Sequence, residues 1–172
     1  MKLREFERLV RESRHRLYGY AYYFLGNREE AEDVVQDVYM RLWKNRTIVR
    51  ADGAAGWLIS VTRNVCRDQL RRRRVRSVVE VDSDRVGDVE ARQPNPADDA
   101  ARTDFEQLLG DAIVDLPDPQ KTIVILREIM GMSYNEISGA LDLPLNTVKV
   151  YLHRGRKHLR HRLTPIINSE AV

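Results

Sequence analysis

A chain of 172 residues that is 42% apolar, 32% charged and 7% aromatic has the material for one helical domain or two small ones, and reads as helical rather than as a β-sandwich. No apolar run approaches the ~20 residues that span a bilayer, and the opening MKLREFERLV is charged throughout, without a signal-peptide core, so the chain is expected to be cytoplasmic. The single cysteine, Cys66, excludes an internal disulfide and a CxxC metal or redox pair.

Phe6, Leu9, Val10, Leu17, Tyr20, Ala21 and Phe24 recur mostly at three- or four-residue steps and predict a helix that stops near Gly26. Asn27 is placed to cap a second helix, with Glu30 reaching back to the cap's N–H; Ala31, Val34, Val35, Val38, Leu42 and Trp43 supply its buried face. Gly53 and Gly56 flank a loop, after which Trp57, Leu58, Val61 and Val65 begin a third helix that runs into arginines. From Arg63 to Arg76 there are seven arginines against one acid, Asp68. Residues 1–76 therefore read as one helical module.

Residues 77–103 keep no lasting period, contain Gly87, Pro94 and Pro96, and are acidic, so they read as a flexible linker. Helical periodicity returns in residues 104–172. Phe105, Leu108, Leu109, Ala112, Ile113 and Leu116 share a face, Asp118 is placed to cap the next helix with Pro119 at its first position, and Gly131 stands at its end. Ser133 and Glu136 form a capping box for a short helix through Leu141. The turn Asp142-Leu143-Pro144 then leads into a second helix whose residues 145–163 hold six Lys or Arg and no acid. Two short helices joined by a tight turn, the second cationic, make the helix-turn-helix pattern. A merely solvated helix interleaves Glu with Lys. Nothing within the chain is expected to neutralise it, and a phosphate backbone is the expected counter-charge.

Three stretches carry a family resemblance: EEAEDVVQDVYMRLWKN (29–45), GWLISVTRNVCRDQLRRRR (56–74) and LPDPQKTIVILREIMGMSYNEISGALDLPLNTVKVYLHRGRKHL (116–159). In this order and at this spacing they resemble the extracytoplasmic-function group of bacterial sigma-70-type sigma factors. The resemblance implies an all-α fold of two small helical domains, the carboxy-terminal one with a helix-turn-helix, and a non-enzymatic initiation factor. Such a protein binds core RNA polymerase through the β′ clamp and β flap, directs it to minus-10 and minus-35 promoter elements, and helps to melt the duplex. Many members are held by an anti-sigma factor, often a membrane-anchored one. No cofactor, metal or small-molecule substrate is implied.

Carried over residue by residue, the resemblance makes Glu32, Asp33, Gln36, Asp37 and Arg41 a polar ridge that docks on the β′ clamp; spacing alone would make it a solvated face. Asn64 matches the asparagine of the family's RN pair, suited to the edge of an extruded minus-10 base. Arg63, Arg67, Arg71 and Arg72 would track phosphates. Trp57 reads as core, and the loop 46–55, which has no aromatic, would cradle a base only with backbone and small polar groups. In the basic helix, Asn146, Thr147, Lys149, Val150, His153, Arg154 and Lys157 would face the minus-35 element. Val150 and Tyr151 depart from the small and arginine residues usual there, so the promoter sequence is not copied from relatives. Asp142 replaces a frequent glycine, and Asp tolerates the left-handed backbone that the turn needs.

His153, His158 and His161 lack an acid or cysteine partner and do not make a zinc site. No Gly-rich phosphate loop, GxSxG or HExxH motif is present. Two other classes compete: a decoy that only binds an anti-sigma factor, and a plain helix-turn-helix repressor. A free coil of the 27 linker residues spans ~29 Å, against ~85 Å between promoter elements two and a half turns apart. Core polymerase is therefore expected to hold the domains apart.

Overall fold

The structure is a computed structural model and describes residues 1–50, 52–83 and 104–170, with side chains left out for 77–83, 104 and 166–170. Among these residues the fold is all-α: α1 (Leu3–Leu25), α2 (Arg28–Lys44), α3 (Ala54–Ser83), α4 (Asp104–Val114), α5 (Gln120–Val124), α6 (Tyr134–Leu141) and α7 (Leu145–Glu170).

α1, α2 and α3 pack on one another around Leu17, Tyr20, Phe24, Val34, Val38, Leu42 and Leu58, all at most 3% exposed. The chain turns from α1 to α2 at Gly26, whose φ of 63° is left-handed backbone that favours glycine. Asn27 caps α2 as expected, its side chain accepting from the Glu30 N–H. The reciprocal half of the predicted box is absent because the Glu30 carboxylate is taken by Arg73 of α3, whose guanidinium also donates to the Leu25 carbonyl at 3.3 Å. A charge-assisted clasp thus ties the α1–α2 turn to the arginine tract. Trp43, expected in the core, is 39% exposed; it lies edge-on to Phe6 with centroids 4.9 Å apart, and Arg46 covers its ring. α3 starts at Ala54, so Gly56 lies in its first turn instead of flanking a loop. It also continues to Ser83. The first seven residues of the expected linker are thus helical, while 84–103 lie outside the described residues.

In the second half, α5 runs into a π-turn at Ile125–Ile129 and closes at Gly131, φ 69°. Asp118 does not cap α5: its carboxylate accepts instead from the Thr122 hydroxyl at 2.6 Å, leaving no side-chain bond to the helix N-terminus. Phe105, expected on the buried face of α4, is 48% exposed, while Ala112, Ile113 and Leu116 are buried as expected. Ser133 and Glu136 form the complete capping box of α6. These bonds hold the Glu136 carboxyl below its ordinary pKa, the bond with the Ser133 backbone N–H being the largest cause. α6 ends on Asp142 at φ 51° and ψ 47°, the left-handed cap expected of the turn. The Ser138 hydroxyl donates to the Leu143 carbonyl and fixes the turn's exit.

α7 packs on α5 at Gly155, which is buried; a Cβ there would stand 2.6 Å from Val124 Cγ2. Glycine is needed because the two helices approach too closely for a side chain.

The two halves share one hydrophobic core. Tyr20 of α1 and Thr122 of α5, 1% and 0% exposed, join hydroxyls at 3.0 Å. The Lys121 ammonium lies 5.0 Å from the centre of the Phe24 ring. The Ser60 hydroxyl of α3 donates to the Ala140 carbonyl of α6 at 3.2 Å.

Candidate polymerase and nucleic-acid interfaces

The apolar stripe of α2 faces the core, so the residues between its members face out. Glu32, Asp33 and Gln36 are exposed, Asp37 and Arg41 half-buried. Asp37 and Arg41 meet one turn apart in a two-point ion pair, with contacts of 3.1 and 2.9 Å. Glu32 pairs loosely with Arg28 at 3.8 Å. The five residues therefore form one continuous, mostly acidic ridge, already ordered along the helix before any partner arrives.

α3 presents a second surface. Asn64 is exposed, one position before the buried Val65 and Cys66. Arg67, Arg71 and Arg72 are exposed and Arg63 is half-buried. Arg71 meets Asp68 at 3.1 Å, while Arg72 has no acidic partner among the described residues. The Arg63 and Arg67 side chains converge on one acceptor, Asp118, at 3.3 and 3.4 Å. Arg63 Nε is buried and bonds to nothing. Beside the start of α3, Ile48, Val49, Arg50, Asp52, Gly53 and Trp57 line an open concavity of about 440 Å³, within the ~300–1,000 Å³ usual for small-ligand clefts. Its apolar walls correct the expectation of a lining made only of backbone and small polar groups. The doublet Ile48-Val49, the only large apolar pair in the loop 46–55, marks this wall in the sequence, and Trp57, half-buried against the core, adds its ring to it.

On α7, Val148 and Leu152 are buried at 0% and 2%, which turns Asn146, Lys149, Val150, His153, Arg154 and Lys157 outward, all exposed, with Thr147 half-buried at the edge. These positions follow i, i+3, i+4 and i+7 and share one face. Lys149 and Lys157 have no acidic partner among the described residues, and Arg154 lies over Tyr151 with 6.0 Å to the ring centre. The helix is not neutralised by nothing, as the sequence suggested: Arg156 pairs with Glu128 at 2.6 Å and Arg162 with Asp115 at 2.7 Å. Both acids come from outside the helix. The hydrogen bond with Glu128 raises the Arg156 pKa further above its ordinary value. α7 therefore has a cationic side open to a ligand and a second side tied to its own module.

Asp118 went unread as a contact residue because its partners lie 55 and 51 positions away and no local pattern marks them. Among the described residues no cluster of His, Cys, Asp and Glu is arranged to hold a metal ion, and no helix is long and apolar enough to cross a membrane.

A helical module with an acidic ridge and an arginine-lined helix, packed against a module that contains a helix-turn-helix, defines an all-helical class of helix-turn-helix protein. The comparisons give it a family. Residues 9–76 match the family model for Sigma-70 region 2, and residues 106–159 that for Sigma-70, region 4. The chain is similar to the ECF RNA polymerase sigma factor SigL of Mycobacterium tuberculosis, with 31% identity over 84% of this chain and 80% of that protein. It is also similar to the ECF RNA polymerase sigma factor SigE of Mycolicibacterium smegmatis, with 35% identity over 91% of this chain, and it spans 61% of that relative's length. Its fold is similar to that of the sigma factor RpoE, solved in complex with the anti-sigma factor NepR from Bartonella quintana, with a TM-score of 0.72 at 23% identity over 94% of this chain and 98% of that one. The chain belongs to the extracytoplasmic-function (ECF) sigma factors of the sigma-70 family.

Proposed function

We propose that this chain is an alternative sigma factor, acting in the cytoplasm without catalytic chemistry of its own, that binds core RNA polymerase and selects promoters through a minus-10 and a minus-35 element. The observation that carries the reading is the pairing, in one chain, of the region 2 and region 4 matches with an exposed polar surface on each. Residues 1–76 form the module for polymerase and the minus-10 element, and residues 104–172 the module for the minus-35 element, with 77–103 between them.

The ridge Glu32, Asp33, Gln36, Asp37 and Arg41 docks on the β′ clamp. Exposed carboxylates at such a rim set orientation and association rate more than affinity. Arg67, Arg71 and Arg72, with Arg63, follow the phosphates of the minus-10 strand, while Asn64 reads a base by its amide. The concavity walled by Ile48, Val49 and Trp57 offers an apolar seat to a base taken out of the stack, and extrusion of a base is a step of melting. In the major groove of the minus-35 element, Lys149, Arg154 and Lys157 meet phosphates or guanine edges, Asn146 and Thr147 the first contacts of the helix, His153 a base edge, and Val150 a thymine methyl. The β flap holds the second module at the required distance. An anti-sigma factor is the expected regulator, as the solved relative is bound to one.

Transcription in vitro with core polymerase on genomic fragments tests the reading. Adding the chain should create discrete start sites that core enzyme lacks, and Asn64→Ala should abolish them without loss of polymerase binding. Association without any change in start sites would overturn it, as would failure to associate, the result expected of both a decoy and a repressor.

A further inference from the structure

We propose that Arg73 is a positioning residue for promoter opening. Its clasp on Glu30 and the Leu25 carbonyl fixes the arginine tract of α3 at a set angle to the ridge of α2, so that a docked ridge carries Arg71 and Arg72 to the minus-10 strand, while Arg73 itself does not touch DNA. The inference rests on the proposed roles of α2 as the polymerase dock and of α3 as the minus-10 helix.

Residues 71–74 are four consecutive arginines, and successive helical residues are turned by about 100°, so the four cannot share one surface. Leu58, Thr62 and Cys66 mark the buried side of α3 at four-residue steps, and Arg73, seven positions after Cys66, falls on that same side. Of residues 71–76 it alone is half-buried, the other five being exposed. Where the apolar stripe runs out, the guanidinium reaches the α1–α2 turn. Its Nε donates to one oxygen of the Glu30 carboxylate at 2.7 Å and a terminal nitrogen meets the other oxygen, while the second terminal nitrogen donates to the Leu25 carbonyl at 3.3 Å. Leu25 is the last residue of α1, where carbonyls lack an intrahelical donor, and Glu30 lies in the first turn of α2. One cation therefore serves two helix ends.

This clasp does not make the helix. Leu58, Ile59, Thr62, Val65 and Cys66 anchor α3 upstream of it, so loss of the bond leaves the fold and releases only the part of α3 beyond the core. What the bond controls is direction. Glu30 lies two positions before the ridge begins at Glu32, and Arg73 directly follows Arg71 and Arg72. A fork of charge-assisted bonds between the two holds one surface in register with the other. An arginine on a swinging helix end still finds a phosphate, so binding persists without the clasp. The fixed geometry in which the strand is held open does not, and misplacement of acting groups by about an ångström lowers a rate more than it lowers binding.

The experiment reconstitutes holoenzyme from core polymerase with the full chain, with Glu30→Gln, with Arg73→Gln and with the double variant, on one promoter fragment. Each chain is first checked for folding by circular dichroism and for undiminished affinity for core. Opening is read as the rate at which minus-10 thymines become reactive to permanganate at saturating holoenzyme, and DNA contacts as the salt dependence of promoter affinity. Each single variant should slow opening about five-fold, and the double variant should be no slower than either, because all three lack the same bond. The log–log salt slope should be unchanged in Arg73→Gln, whereas Arg72→Gln flattens it by about 0.9. A flatter slope in Arg73→Gln overturns the proposal and makes Arg73 a phosphate contact. Slowing in the double variant that multiplies the two single effects overturns the shared bond. Should Arg73→Gln not fold, Glu30→Gln carries the opening rate, and an undiminished rate there overturns the proposal. Absence of opening by the unaltered chain would overturn the functional reading itself and this inference with it, whereas variants that open the promoter as fast as the unaltered chain overturn this inference alone.

Discussion

Neighbouring cations on α7 have opposite fates. Arg156 is bound by Glu128 through two of its nitrogens, at 2.9 and 2.6 Å, whereas Lys157, one position on, is exposed and has no acidic partner among the described residues. Successive helical residues are turned by about 100°, so adjacent charges need not serve the same surface. In holoenzyme bound to a promoter fragment, Lys157→Ala should flatten the log–log salt dependence of the affinity by about 0.9, the value for one lost phosphate contact. Arg156→Ala should alter it much less. Titrations between low and moderate salt distinguish the two, and equal changes would place Arg156 at the DNA as well. The same contrast runs through the arginine tract of α3, where Arg73 serves the α1–α2 turn and Arg72 remains for a partner. The sequence placed Lys157 and Arg72 on the DNA-facing sides but gave no partner for Arg156 or Arg73. Their difference comes from acids that approach out of other helices.

At the level of elements, caps and stripes did most of the positioning. Gly26, Asn27, Ser133 with Glu136, and Asp142 all stand where the local chemistry required them, because a cap is decided within four residues of itself. Two expected caps failed. Asp118 lost its capping role to the Thr122 hydroxyl four positions on and to the arginines of α3, and Glu30 its half of a box to Arg73 of α3, because a charged acceptor binds a guanidinium more strongly than a backbone N–H at an exposed helix end. The contact of α5 with α7 offers a sharp test of element packing. Gly155→Ala gains ~0.8–1.0 kcal/mol of helix propensity, but the new methyl meets Val124 Cγ2 at 2.6 Å where Val124 is wholly buried. Overpacking of that kind costs ~1–3 kcal/mol. Chemical denaturation should show net destabilisation of about 1 kcal/mol, reversing to stabilisation when Gly155→Ala is made in a Val124→Ala background, where room exists. The same sign in both backgrounds would refute close packing at this point.

For the whole molecule, the expected consequence is that the two sigma regions unfold together. Tyr20, Phe24 and Leu25 of the first half and Ile123, Ile125 and Leu126 of the second belong to one buried cluster. Calorimetry of the free chain should therefore give a single transition whose calorimetric and van't Hoff enthalpies agree. Two resolved transitions would mean that the interface contributes little. The closed packing also changes the meaning of the inter-element distance. On the proposed reading, in which polymerase holds the modules at two promoter elements, the shared core adds that they must first be drawn from contact.

The amino-acid sequence alone determined the course of the helices, most of their caps, the outward ridge of α2, the exposed face of α7 and the family, since each is encoded by periodicity or by residue types within a few positions. Tertiary structure alone decided which cations are spoken for, that Ile48, Val49 and Trp57 form one apolar wall, and that Asp118 joins the two halves. Such pairings span up to 102 positions. They depend on how helices dock, and the energy of docking is spread over a common core that no local window contains.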